Sequence, residues 1–169
     1  GGFVAMRVAI DRPERVSTMV LVNSTAKSPR AGEAPSWARS VETGGMEPSL
    51  DGAMDRWFVE RVHREHPQVI QFYRKMLGAN PPMGYATNSR GISQLDLRDE
   101  LRTIQCPTLI IGGKEDRGIP PSVNEQNAAK IPGAQLAFIT NASHIVPEEQ
   151  PEEFNRTTLE FLEQNIARI

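Results

Sequence analysis

The sequence predicts an α/β fold: parallel strands flanked by helices, with a block of helices inserted between two of the strands. Three observations carry that reading. Residues 18–22, 109–111 and 136–139 are short continuous apolar runs of strand length, the first with the pattern of a strand covered on both faces and the other two each stopping at a small or polar cluster. The last two runs are separated by a single stretch of helical length, the spacing of a strand–helix–strand unit. The first two are separated by a long segment in which apolar residues recur at helical intervals and no strand run occurs.

The chain opens Gly1-Gly2 and continues into an apolar helical run, residues 3–10. There is no charged segment ahead of an apolar core, so a signal peptide is not expected. Two small residues opening a helix fit the exit of a nucleophile elbow, Gly-x-Ser-x-Gly, in which glycines leave room for a serine on a tight strand-to-helix turn. If Gly1 is the last glycine of that motif, the serine lies two residues before it. Residues 11–16 are a charged turn, residues 18–22 the first strand, and Asn23-Ser24-Thr25 its end. Ser24 lacks a tight glycine turn, so it is read as a strand-end residue, with a substitute nucleophile as the weaker alternative.

Residues 27–49 hold Pro29, Pro35, Pro48, Gly32, Gly44 and Gly45, a composition that predicts a loop leaving the sheet. Helical spacing follows in Leu50, Met54, Trp57, Phe58 and Val62, then in Val69, Ile70, Tyr73, Met76 and Leu77. Pro81 and Pro82 interrupt it, and a third helix is expected from about Met83 to Leu95. Helices with no strand among them predict a cap over the carboxyl edge of the sheet, which would exclude water and shape a pocket. The expected division is core at 1–29, helical cap at 30–95, and core again at 96–169. Past the second strand, Ser122 with Glu125 has capping-box spacing and predicts a helix start. Past the third, Pro151 with Glu152 and Glu153 predicts a helix whose apolar face holds Phe154, Thr158, Phe161, Leu162 and Ile166.

Composition narrows the function. With 169 residues, 38% of them hydrophobic, the chain is long enough for a real core. A net charge of −2, with no block of like charge, argues against nucleic acid or an anionic membrane as partner. No apolar stretch approaches the roughly 18 residues that a membrane span requires. The single cysteine, Cys106, has no internal disulfide partner and reads as a small buried apolar residue, which suits a reducing cytoplasm. His63 and His66 share a helix face, but their segment is densely charged and offers no third or fourth ligand; a solvated helix end is expected, with no metal and no cofactor. Gly44-Gly45 and Gly112-Gly113 lack the context of phosphate-binding loops.

The chemistry-bearing pair is Asp116 and His144. Each lies just past a strand run, and in an open parallel sheet both would emerge at the carboxyl edge, where ligands bind. Read singly, each is an ordinary loop residue. Together they form an acid and a base: a carboxylate that fixes an imidazole tautomer, and an imidazole that takes a proton from a hydroxyl nucleophile.

These residues carry a resemblance. Gly1-Gly2, residues 12–16, residues 20–23, Cys106-Pro107-Thr108-Leu109-Ile110-Ile111-Gly112, Asp116, His144 and residues 149–154 are similar to the carboxyl-terminal two-thirds of an α/β-hydrolase. Within that superfamily, Arg56-Trp57-Phe58, residues 80–86 and Asp96-Leu97-Arg98 look most like 3-oxoadipate enol-lactonases, a pattern shared in part by related esterases. The resemblance implies a partial α/β-hydrolase fold, with the N-terminal part of the sheet outside this sequence. It implies a serine hydrolase of a small-molecule ester or lactone, with Asp116 as triad acid, His144 as general base and acid, and the serine and both oxyanion-hole amides upstream of residue 1. Trp57 is then either a pocket residue near substrate or an ordinary helix-packing tryptophan. The alternative to an enzyme is a catalytically inactive piece of such a hydrolase, which binds a second chain or self-associates through an open sheet edge at residues 18–22.

Overall fold

The structure, a computed structural model, describes residues 1–166; the side chain of Ile166, which sequence periodicity places on the last helix's apolar face, lies outside the described residues. Three strands, β1 (Met19–Val22), β2 (Thr108–Gly113) and β3 (Gln135–Ile139), form one parallel sheet in the order β1-β2-β3. The register pairs Leu21 with Ile110, and Gly113 with Ile139. These strands coincide with the three apolar runs of the sequence.

The continuous hydrophobicity of β2 follows from its place between two layers. Ile110 joins Met6, Ala9, Met19, Leu21, Leu101 and Ile104 on one face, under α1 (Gly2–Asp11) and the short 3-10 turn Leu101–Thr103. Leu109 and Ile111 join Ile139, Val146 and Phe161 on the other. Past β3, α8 (Val146–Glu149) and α9 (Pro151–Ile166) follow in turn, contributing Val146 and Phe161 respectively to that second layer.

Between β1 and β2 the chain runs through five helices among the described residues: α2 (Ala34–Gly44), α3 (Glu47–Trp57), α4 (Glu60–Glu65), α5 (Pro67–Gly78) and α6 (Pro82–Gln94). They enclose a separate apolar cluster around Val41, Leu50, Met54, Phe58, Val62 and Leu77. The two stems of this insertion meet: Leu97 N–H donates to Ala26 O at 2.8 Å, and Lys27 Nζ lies 3.1 Å from Asp96.

Two sequence expectations are corrected. Residues 34–44, read as loop, form α2. Pro35 sits in its first turn, where a missing N–H does no harm, and Ala34, Ala38 and Val41 make a buried stripe at helical spacing. Trp37 fastens the helix through Nε1 to Ser49 Oγ at 2.9 Å and an edge-on contact with Tyr85. The helix stops at Gly45, whose φ of 71° needs a glycine. The second correction concerns Ser122. The helix α7 (Pro121–Lys130) begins one residue earlier, with Pro121 pre-set at the first position, so Ser122 is helical and caps nothing.

No helix among the described residues is long and apolar enough to cross a membrane.

Candidate active site

Because β2 and β3 are parallel neighbours paired to their last residues, the loops that follow them leave from the same edge of the sheet. The backbone draws those loops together: Lys114 N–H donates to Ile139 O and Glu115 N–H to Ala142 O, both at 3.0 Å. The Glu115 carboxylate accepts the N–H groups of Asn141 and Ala142 in return. Their approach is close enough that Gly113 has no space for a side chain; a Cβ there would stand 2.0 Å from Ser143 O.

Asp116 and His144 are the result. His144 Nδ1 and Asp116 Oδ2 are 2.7 Å apart. Asp116 Oδ1 accepts from Gly118 N–H at 2.7 Å and Ile119 N–H at 2.9 Å, so every partner of the carboxylate is a donor. That bonding places the ring proton on Nδ1 and leaves Nε2 with its lone pair. The Asp116 side chain is 0% exposed, and His144 28%. An imidazole held this way from a buried carboxylate, with one side open, can accept a proton at Nε2 while its developing charge is stabilised.

Three further groups hold the histidine loop. Asn23, at the tip of β1, donates from Nδ2 to Ser143 O at 2.8 Å and to His144 O at 2.9 Å, and accepts Gly113 N–H at 2.9 Å. It does so from a left-handed backbone, φ 42°, which asparagine tolerates better than most residues. From the cap, Trp57 O accepts the N–H groups of His144 (3.0 Å) and Ile145 (3.2 Å), and Ser143 Oγ donates to Arg56 O at 2.8 Å. Glu149, 5% exposed, accepts Ser143 N–H on one oxygen and Val59 N–H on the other. Burial pushes its carboxyl above the ordinary carboxylate range, against the opposing pull of the backbone amides.

The other predicted site residues are placed as follows. Trp57 meets the histidine loop through its carbonyl, while its side chain packs against the apolar cluster of the cap. Gly1 caps α1, and Gly2 lies against Ser24: a Cβ on Gly2 would stand 2.3 Å from Ser24 Oγ. Gly2 thus touches the chain one residue past Asn23. Ser24 Oγ donates to Val22 O, and both Ser24 and Ser143 hydroxyls are engaged by backbone carbonyls. His63 is half-buried on α4, and His66, between α4 and α5, is exposed. A cavity of about 190 Å³ lies in the cap, lined by Arg30, Glu33, Trp37, Tyr85 and Ser89; neither Asp116 nor His144 lines it. Burial and the nearby Arg30 charge hold the Arg56 guanidinium below its ordinary value, and burial pushes the Tyr85 phenol up.

Asn23 and Glu149 are the functional candidates that sequence reasoning missed. Asn23 read as a strand end, and Glu149 as one acid in a proline-flanked turn. For Asn23 the available signal was a polar residue closing an apolar strand at the edge where the site was already expected; Glu149 carried none.

Comparison with known proteins agrees with this architecture. The family model for the alpha/beta hydrolase family matches residues 1–157. The chain is 30% identical over 158 residues to 3-oxoadipate enol-lactonase 2 of Acinetobacter baylyi, covering 92% of this chain and 58% of that protein. Among solved structures, the enol-lactonase of Burkholderia xenovorans superposes with a TM-score of 0.91 at 28% identity, and a hydrolase of Pseudomonas aeruginosa with 0.90 at 31%. These cover 95% and 96% of this chain, and 62% and 61% of theirs. The chain therefore spans about three-fifths of the length of these relatives. It belongs to the alpha/beta hydrolase family.

Proposed function

We propose that this chain carries the acid and base of a serine hydrolase that cleaves a carboxylic ester or lactone, of the kind the name 3-oxoadipate enol-lactonase describes. The observation that carries the reading is the 2.7 Å contact between His144 Nδ1 and the buried Asp116 carboxylate at neighbouring strand tips. The serine lies upstream of Gly1, with Gly1 and Gly2 as the exit of its elbow. Its hydroxyl passes a proton to His144 Nε2 as its oxygen attacks the substrate carbonyl. Asp116 steadies the imidazolium, which then returns the proton to the leaving alkoxide. Water hydrolyses the acyl-enzyme by the same relay. Neither metal nor cofactor takes part in this scheme.

Residues 1–29 and 96–169 act as the core and residues 30–95 as the cap, with Trp57 at the substrate pocket. The buried Cys106 thiol, pushed up by burial, suits a reducing cytoplasm.

The test is hydrolysis of p-nitrophenyl acetate and of a carboxylate-bearing enol-lactone by the protein that includes the upstream segment. His144→Ala is expected to lower kcat by about 10³-fold or more, on the scale of other triad deletions. Unchanged turnover removes His144 from the mechanism. The 169-residue chain alone is expected to show no serine-dependent turnover, and a phosphonate bound covalently to Ser24 or Ser143 contradicts the scheme.

A second reading rests on β1, which pairs with β2 on one side only among the described residues. An unpaired strand edge is a template for another chain. A stable dimer of this chain, inert even when the upstream segment is supplied, favours that reading.

A further inference from the structure

We propose that Glu149 is a positioning residue for His144: its carboxylate ties the cap at residues 57–59 to the histidine loop, so that seating of the cap and orientation of the imidazole are set together. This rests on the reading of His144 as the general base.

Glu149 Oε1 accepts Val59 N–H at 2.8 Å, and Oε2 accepts Ser143 N–H at 2.7 Å. One side chain, only 5% exposed, thereby bridges the cap and the core. The bridge closes a ring of bonds. From Ser143 the chain passes to His144, whose N–H donates to Trp57 O, and from Trp57 it passes through Phe58 back to Val59. Lifting residues 57–59 off the core therefore breaks the bond of Val59 to Glu149 and that of the His144 N–H to Trp57 O in the same motion, leaving the His144 carbonyl held by Asn23 alone.

The residue type matters. Two N–H groups converge from different segments, and only a carboxylate offers each an acceptor oxygen. Glutamine has the same shape but would aim an NH₂ at one of them, leaving a buried donor unpaired. Val146 and Ala142, from the same segment, are buried in the apolar layer with Ile139 and Phe161, and the charged groups around the carboxylate are few. Arg61, on α4, donates to the Glu149 carbonyl at 3.1 Å, and His66 and Glu148 line the groove on its solvent side.

The experiment is amide-resolved NMR of the 169-residue chain as wild type, Glu149→Gln and, as control, the exposed neighbour Glu148→Gln. In Glu149→Gln, exchange at Val59, Ser143 and His144 amides is expected to accelerate together by about tenfold or more, with a shift of the His144 ring resonances. Glu148→Gln is expected to leave all of them in place. Acceleration confined to one segment, an unmoved His144 ring, or an equal response in the control overturns the proposal. Should Glu149→Gln not fold, the wild type decides. The Val59 and Ser143 amide shifts must titrate with one midpoint, that of the Glu149 carboxyl carbon; separate midpoints overturn the coupling. None of these readouts needs turnover. A coupled ring in a protein without hydrolytic activity would sink the proposed function and leave the coupling, while an uncoupled ring in an active hydrolase would do the reverse.

Discussion

Gly113 ends β2 where the backbone of the histidine loop crosses it, with Ser143 O and Ala142 O standing 2.0 and 2.6 Å from where a Cβ would be built. Neither neighbour is the tip of a flexible side chain, so the loop itself must move. Gly113→Ala is expected to cost about 3 kcal/mol or more in urea unfolding and to separate His144 from Asp116. Asn23 makes a different demand, for hydrogen bonds and for a left-handed backbone. Asn23→Ala is expected to lose about 2–4 kcal/mol, from two carbonyls and one N–H left without their partner. Asn23→Gly keeps the backbone conformation and is expected to lose nearly as much, which denaturation of the two variants side by side will separate. The pairing of Asp116 with His144 was legible in the sequence because each lies the same few residues past an apolar run. Asn23 was not, because its partners lie about 120 residues away in a loop whose position only the folded sheet defines.

At the scale of elements, the strands were the most legible parts: β2 is buried along its whole length and β1 at alternate residues, while β3, exposed at Gln135 and Leu136, still shows as an apolar run. Helix boundaries were less so. Residues 27–49 carry enough proline and glycine to read as loop, yet Pro35 and Pro48 fall in first turns and Gly44 and Gly45 at a helix end, where each is compatible with helix. The same ambiguity moved the start of α7 from Ser122 to Pro121. That helix contains an oddity of its own. Asn124 is fully buried, and neither atom of its side-chain amide has a hydrogen-bond partner among the described residues. We have no physical account of why an amide stands there. Asn124→Leu, of the same branched shape but bulkier, is expected to raise stability by about 1 kcal/mol in urea, since relief of an unpaired buried amide outweighs the cost of the added bulk.

The whole molecule is two apolar layers around a sheet and a third cluster in the cap, joined at the insertion's stems and at the histidine loop. The helical insertion was legible from periodicity and the missing strands. Its hydrogen bonds to residues 143–145 were not, since they run through backbone carbonyls and a glutamate that no motif marks. That junction also predicts a pH dependence. Burial raises the Glu149 carboxyl in the folded chain above its unfolded value. The folded protein thus binds that proton more tightly, and the stability it contributes is full below the unfolded value and lost as pH rises through the folded one. Urea midpoints should therefore fall as pH rises from the unfolded to the folded value in the wild type, and this part of the slope should vanish in Glu149→Gln. The account as a whole depends on a carboxylate holding one tautomer of an imidazole. Nitrogen-resolved NMR of the His144 ring tests it most directly. The expected result is a low-field proton on Nδ1 and a bare Nε2 in the neutral ring, with the low-field proton lost in Asp116→Ala. A proton on Nε2 with Nδ1 bare, or a ring spectrum indifferent to Asp116→Ala, would contradict it.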